Sequence, residues 1–404
     1  MTTHFDTAPF AALRARFPGT AQRAHLDVAS RSLIPASSLE IAHAHLLERV
    51  NGVIDKDRYF GLVETVRQSF ARLVNADPVE IAMTKNVSEG LNVVAASIDW
   101  QPGDEVILCS DIEHPNNLYT WRNQERLGVV VRDLPSPDGL FPLQAVLERL
   151  AEGSRVRVVT VSATSFKPGL RTDLHTLGRA CRAAGAHLVV DAAQAAGITH
   201  LDVEAMGIDA LAASTQKGLC SLYGMGLLYV RRSFAESMTP RYLARFGVTI
   251  AATHEADYDK GPIHYKAGAQ RFDVGNYNFL ASALVADTLS MLLACGTPAI
   301  DRYVTALATS LADGLAERGC DVVRPEGAIM ANMVCLRIPG GGPASAELQR
   351  HLQEHRVQAA VRRDLLRFSI HAYNDRSDVE RAVAVTAQWH ERARRPGGRT
   401  AVGG

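Results

Sequence analysis

The sequence has no apolar run approaching the roughly 20 residues that a membrane-spanning helix needs. It has no surplus of charge either: Lys+Arg and Asp+Glu are both 43, so nothing global draws it to nucleic acid or to an anionic membrane surface. Cysteine is scarce and scattered (Cys109, Cys181, Cys220, Cys295, Cys320, Cys335), with no CxxC pair and no Cys/His cluster that would hold a metal. Reduced, mostly buried thiols in a cytoplasmic protein are expected. The stretch from Met1 to Thr20 lacks the apolar centre of a signal peptide. There is no internal repeat and no low-complexity block, and the segment from Ala393 onward is expected to fray rather than to bind nucleic acid.

What is present is a chain of 404 residues, 47% hydrophobic, long enough to bury a large core in two or three domains. Helical spacing runs over 61–76, with Leu62, Val66, Phe70 and Leu73 on one face. Short apolar runs read as buried strands: 106–109, 129–131, 157–161, 187–190, 209–213 and 226–230, with a helical segment over 173–184. Such alternation predicts a largely parallel, helix-covered sheet. From about residue 285 the pattern changes to a long helical stretch broken near Gly296-Thr297-Pro298. A strand over 333–338, a helix over 345–355, a strand over 366–370 and a final helix from Ser377 then predict a smaller α+β unit.

Two polar positions stand out at the ends of apolar runs. Leu188-Val189-Val190 delivers Asp191, followed by Gln194, and Ala212-Ala213 delivers Ser214, Thr215, Gln216 and Lys217. In an open α/β sheet, that edge is where ligands bind. A carboxylate for a pyridinium nitrogen and a lysine for a Schiff base are what pyridoxal 5′-phosphate (PLP) requires of a protein. Gln194 has the reach to donate to the phenolic oxygen of such a ring. A strand-end aspartate capping a helix and a surface lysine is the plainer alternative for either residue alone. Thr84 to Asn92 places Val87 and Ser88 at a helix N-terminus, a phosphate site or an ordinary cap. Ser214 and Gln216 could add phosphate donors. His114 follows a buried strand and could stack on a ring and move protons, or be a loop histidine. Arg367 lies inside an otherwise apolar strand; it predicts either a carboxylate clamp or a structural salt bridge. The segment 270–278 reads alone as a turn.

Together these segments resemble the class V aminotransferase group of fold-type I PLP enzymes, which includes cysteine desulfurases, isopenicillin N epimerase-like and kynureninase-like proteins and the C–S lyase of ergothioneine synthesis. The resemblance runs from His25-Leu26-Asp27 to Tyr373-Asn374, nearly the whole chain; its most specific part is Asp191-x-x-Gln194 followed by Lys217. It implies an α/β fold: a large PLP-binding domain (16–284) with a mostly parallel seven-stranded sheet, and a small α+β C-terminal domain (285–392). An arm (1–15) would join the small domain, and 393–404 would be a flexible tail. It implies Lys217 as Schiff-base lysine, Asp191 as pyridinium partner and Gln194 as phenolate partner. His114 would stack on the ring, and Ser88, Ser214 and Gln216 would bind phosphate. Arg367 would bind the substrate carboxylate. Asn276 falls where relatives reach the cofactor of a neighbouring subunit, which implies a homodimer with shared active sites.

Three departures narrow the expected reaction. The stretch Val357 to Asp364 runs straight into Leu366-Arg367, without the cysteine-bearing loop of a desulfurase. Gln216 replaces a histidine, as in some aminotransferases of the group. Phe166, in Ser165-Phe166-Lys167-Pro168-Gly169, stands where desulfurases have an asparagine. The expected chemistry is an amino acid held as an external aldimine, with proton removal by Lys217 and a quinonoid stabilised by the ring. β-Elimination from a cysteine conjugate leads; transamination, epimerisation or decarboxylation with loss of the amine are alternatives, and a PLP-free binding protein is the reading from a different class. Arg31, Tyr223, His264 and the region Asn51 to Tyr59 are further candidates for the site.

Overall fold

The computed structural model describes residues 8–153, 155–250 and 261–394. The first seven residues of the expected arm lie outside these, as does the expected tail beyond residue 394; Ala393 and Arg394 close the last helix. Thirteen strands run in chain order among the described residues: β1 (Ala24–His25), β2 (Ile81–Thr84), β3 (Glu105–Leu108), β4 (Val130–Asp133), β5 (Val156–Ser162), β6 (His187–Asp191) and β7 (Ala210–Ser214) come first. β8 (Gly226–Val230), β9 (Asp321–Val322), β10 (Met333–Arg337), β11 (Val357–Gln358), β12 (Ala360–Arg362) and β13 (Leu365–Ser369) follow.

Seven of them form one sheet in the order β2-β8-β7-β6-β5-β3-β4. It is mostly parallel, as the alternation predicts; β8 alone runs against both its neighbours. β5, β6 and β7 are apolar and buried almost end to end, as expected of parallel strands covered on both faces. The strand expected as buried at 129–131 is displaced and not buried: β4 is the sheet edge, pairs only with β3, and exposes most of its length. Periodicity cannot separate an edge strand from a central one, because burial there depends on which strand lies alongside.

Two close approaches bring loops to the C-terminal edge of this sheet. A Cβ on Gly226 would stand 2.8 Å from the Asn86 Cα, so only glycine lets β8 pass the start of the helix Val87–Ser97. A Cβ on Gly218 would stand 2.2 Å from the Ala196 carbonyl oxygen, so glycine there lets the segment after Lys217 lie against the segment after Asp191.

The helix Lys56–Val74 buries Val66, Phe70 and Leu73 as expected; Leu62 is only half-buried, and Arg67 is taken wholly inside instead. Arg67 donates to the Ile81 carbonyl and to Asp273 Oδ2 (2.8 Å), while Asp273 Oδ1 accepts from Met83 N (2.8 Å). A buried ion pair thus ties a helix and the 268–278 segment to β2, the strand that leads into Asn86.

The later part of the chain forms an antiparallel sheet, β12-β13-β10-β9, packed with the helices Gly341–Glu354 and Thr297–Glu317. Two helices, Phe279–Cys295 and Thr297–Glu317, meet at 79° around Gly296. The first packs on Lys56–Val74, the second on Arg376–Arg394, and we propose that the two units divide at this bend. The N-terminal arm does touch the later part: Phe10 stacks on Tyr303 (3.9 Å), and Arg14 pairs with Asp375 and Asp378. No single helix among the described residues is long and apolar enough to cross a membrane.

Replacing Asp273 by Asn removes the buried counter-charge of the Arg67 guanidinium and leaves it only the exposed Glu64 carboxylate on Nε. Stability should fall by about 3–5 kcal/mol, read from urea unfolding; a loss below about 1 kcal/mol would show that the pair does not clamp these segments.

Candidate active site

The C-terminal edge of the seven-stranded sheet opens into a cavity of about 590 Å³. Asp191 is the last residue of β6, in register with Ser162 at the end of β5 and Ala212 on β7. The next strand end carries Ser214, and the chain then turns through Gln216 and Lys217. Asp191, Gln194, Ser214, Gln216 and Lys217 therefore reach one cavity from two adjacent loops. Val87, Ser88 and His114 line it from the other side.

Burial sets the electrostatics of the central pair. It pushes the Lys217 ammonium from 10.5 down to about 8, with Asp191 opposing the shift and Arg367 and Arg362 adding to it. It also raises the Asp191 carboxyl, against the Ala193 N–H bond (2.8 Å) and the Lys217 charge. The amine is thus brought within reach of its neutral form near ordinary pH, the state a nucleophilic or basic lysine needs.

The remaining expected residues fall as follows. Asn86, rather than Ser88, caps the helix Val87–Ser97, its side chain accepting from Glu89 N (2.9 Å). Ser88 lies in the first turn and accepts from Asn116 Nδ2 (2.6 Å). His114 caps the helix Pro115–Arg122: its Nδ1 accepts from Asn116 N (3.2 Å), which leaves the proton of the neutral ring on Nε2. Burial, then Lys217, lowers its basicity. Gln194 Nε2 donates to the Ala29 carbonyl (3.2 Å) and has a second hydrogen to offer, while its Oε1 is buried without a partner. Arg367 is fully buried behind Phe166, with Nη1 donating to the Phe166 carbonyl (3.3 Å) and Nε and Nη2 unpartnered. Asn276 is exposed on its loop and is not among the residues lining the cavity of this chain. Arg31 and Tyr223 line the cavity; Arg367, which Phe166 separates from it, does not, and neither do His264 and the region 51–59.

Three cavity neighbours went unrecognised in the sequence. Glu113 is buried beneath His114 and accepts from Ser162 N (2.6 Å), Ser162 Oγ (2.5 Å) and Asn117 Nδ2 (3.0 Å); burial pushes it up to about 7. It fastens the His114 loop to the end of β5. Ser162, its partner, lines the cavity, as does Arg362, which donates to Ser30 Oγ (2.5 Å). The available signal was positional: a carboxylate just after a buried strand, and an arginine five residues before Arg367.

The donor set fits PLP. Buried polar atoms without partners are costly and call for a ligand that completes them: Ser214 Oγ is one such atom in the cavity lining, Gln194 Nε2 keeps a second hydrogen to give, and Arg367 Nε and Nη2 wait behind Phe166 for an anion. Lys217 would take the aldehyde carbon and Asp191 the ring nitrogen. Val87 and Ser88 at the helix start, with Ser214 and Gln216, would take the phosphate. The metal-capable grouping among the described residues, His351, Glu354 and His355, lies at the C-terminal end of the helix Gly341–Glu354, with His355 as its cap, and none of the three lines the cavity.

Because only the neutral amine condenses with an aldehyde, uptake of PLP by the apoprotein should accelerate as pH rises, with a midpoint near 8. Asp191→Asn removes a charge that favours the ammonium, so its midpoint should fall further. A stopped-flow absorbance series checks both, and a midpoint at 10 or above in the parent protein contradicts the burial argument.

The family model described as aminotransferase class-V matches residues 55–382. A Bacillus subtilis (strain 168) protein named uncharacterized aminotransferase YcbU is 28% identical over 320 residues, covering 79% of this chain and 82% of its own. Isopenicillin N epimerase of Streptomyces clavuligerus is 28% identical over 340 residues, covering 79% and 82%. An apo cysteine desulfurase from Thermococcus onnurineus NA1 shares the fold with a TM-score of 0.83 at 23% identity, covering 96% of this chain and 98% of that one. With its family model spanning most of its length, the chain belongs to the aminotransferase class-V family.

Proposed function

We propose that the protein is a PLP-dependent enzyme that binds an amino acid and eliminates its β-substituent, breaking the C–S bond of a cysteine conjugate. The observation that carries the amino-acid reading is Arg367. Its guanidinium is buried, keeps two donor nitrogens unpartnered, and is pushed down to about 10 by burial, so it gains from any carboxylate that reaches it.

When bound, the cofactor supplies an electron sink for the pair released at the substrate Cα. The chain supplies the rest. Arg367 fixes the substrate carboxylate and so orients the Cα–H bond. Lys217 Nζ takes the Cα proton, a role its lowered basicity suits. Asp191, buried at the strand end, holds a proton on the ring nitrogen. His114, with Nδ1 committed to the Asn116 N–H, presents Nε2–H to the site.

Elimination is favoured over persulfide chemistry by the hairpin before Arg367. Only Arg363 and Asp364 separate β12 from β13, so no loop carries a nucleophile there, and among the described residues no cysteine lines the cavity. Cys335, opposite Arg367 in register, is buried and pushed up to about 12, a protonated and inert thiol. Transamination is the second reading; Gln216 and the name of the Bacillus relative favour it. It differs in where Lys217 delivers the proton it has taken.

The proposal includes a homodimer. Leu46, Leu47, Val50, Val53 and Ile54 are exposed on one helix and the turn after it, and Asn276 stands outside its own chain's cavity, free to serve a neighbour's. It also includes a cytoplasmic location, which six unpaired cysteines favour.

Incubation with S-substituted cysteines and common amino acids, with mass spectrometry of the products, tests the reaction. Pyruvate, ammonia and a free thiol are expected; accumulation of pyridoxamine phosphate would overturn elimination in favour of transamination. Arg367→Gln should lower kcat/KM by about 10²-fold, the scale of a lost charge-assisted contact, mostly through KM.

A further inference from the structure

A second arginine stands beside Arg367, on the cavity side. β12 and β13 pair antiparallel with Ala360 opposite Arg367 and Arg362 opposite Leu365. Arg362 and Arg367 are therefore diagonal neighbours on one face of the hairpin, with Cα atoms on the order of 7–8 Å apart. Arg362 lines the cavity and is half-buried, its Nη2 donating to Ser30 Oγ (2.5 Å) and Nη1 to the Val361 carbonyl (2.9 Å).

Among the described residues, neither arginine has a carboxylate within ion-pair distance. Asp27 is the nearest acid in the network, and it reaches Arg362 only through Ser30, whose hydroxyl donates to Asp27 Oδ1 (2.7 Å). That relay orients the guanidinium without neutralising it. The two arginines repel each other and both depress the basicity of Lys217. The cavity lining holds Arg31, Lys217 and Arg362 against one acid, Asp191. The phosphate donors lie elsewhere, at the start of the helix Val87–Ser97 and the end of β7, on the other unit of the chain. One carboxylate on Arg367 leaves Arg362 uncompensated.

We propose that Arg362 binds a second anionic group on the substrate, so that the enzyme acts on amino acids whose side chain ends in an acid, such as a cysteine conjugate bearing a carboxylate on the sulfur substituent. Arg362 is a specificity-determining residue in this assignment, which rests on Arg367 taking the α-carboxylate. The Ser30–Asp27 relay holds its fork ready, so little side-chain entropy is lost on binding.

Glutarate and its monoamide separate this assignment from the reading it rests on, because neither carries an amine and neither can react. Calorimetry on the holoenzyme should show glutarate binding about tenfold or more tighter than the monoamide, the scale of one charge-assisted pair. Arg362→Gln should bring the two within about threefold, and Arg362→Lys should restore part of the difference. In turnover, S-carboxymethylcysteine should be preferred over S-carbamoylmethylcysteine to the same degree, and Arg362→Gln should remove the preference. Equal binding of acid and amide by the parent enzyme overturns the proposal, whatever the folding of the variants; so does a preference that survives in Arg362→Gln. Arg367→Gln should weaken acid and amide alike. If it weakens neither, the carboxylate assignment of Arg367 fails, and with it the pairing of the two arginines on one substrate.

Discussion

The parallel pairing of β6 with β7, Asp191 level with Ala212, is the constraint on which the site depends. Strands in a sheet lie about 4.8 Å apart, so two residues at adjacent strand ends have no freedom to separate. Asp191 ends one strand and Lys217 follows the other by three residues. Backbone hydrogen bonds deep in the sheet therefore fix the acid and the amine, rather than any contact between the two. Gly218 and Gly226 extend the same logic outward. Each admits a backbone approach that a side chain would block, and each sets a loop of the cavity at its distance from the strand ends.

Water exclusion at that edge then does the electrostatic work. Burial drives the lysine and the aspartate toward their neutral forms, and each charge opposes the shift of the other. The same burial leaves serine, glutamine and arginine atoms without partners. A site that keeps several such atoms is incomplete as a fold and complete only with a ligand. The arginine surplus on the β12–β13 hairpin is the same imbalance written in charge.

Much of this was legible in the sequence because the signals were local. The runs at 157–161, 187–190 and 226–230 are strands within a residue or two, and the polar residues that end two of the central runs line the cavity. β2 escaped notice, since four residues ending in a threonine carry little period. The burial expected of β4 failed because an edge strand and a central strand share a pattern. Glu113 escaped because a carboxylate beside a histidine reads as a loop residue until Ser162 and Asn117 close over it. Arg362 escaped because the stretch was informative for what it lacked.

The sequence by itself determined the cofactor chemistry: an aspartate, a glutamine and a lysine at fixed offsets from apolar strands are local facts, and strand ends translate offset into direction. It also determined the absence of a cysteine-bearing loop, since Val357 to Asp364 runs straight into Leu366-Arg367 without a cysteine. Only the tertiary structure decided what those residues face. Most of the cavity wall comes from segments far off in the chain, among them Ala29 and Ser30, His114, Phe166 and Arg362, and their charges and orphaned atoms depend on which neighbours exclude water. Burial and charge balance are properties of three-dimensional neighbourhoods. No spacing along the chain carries them.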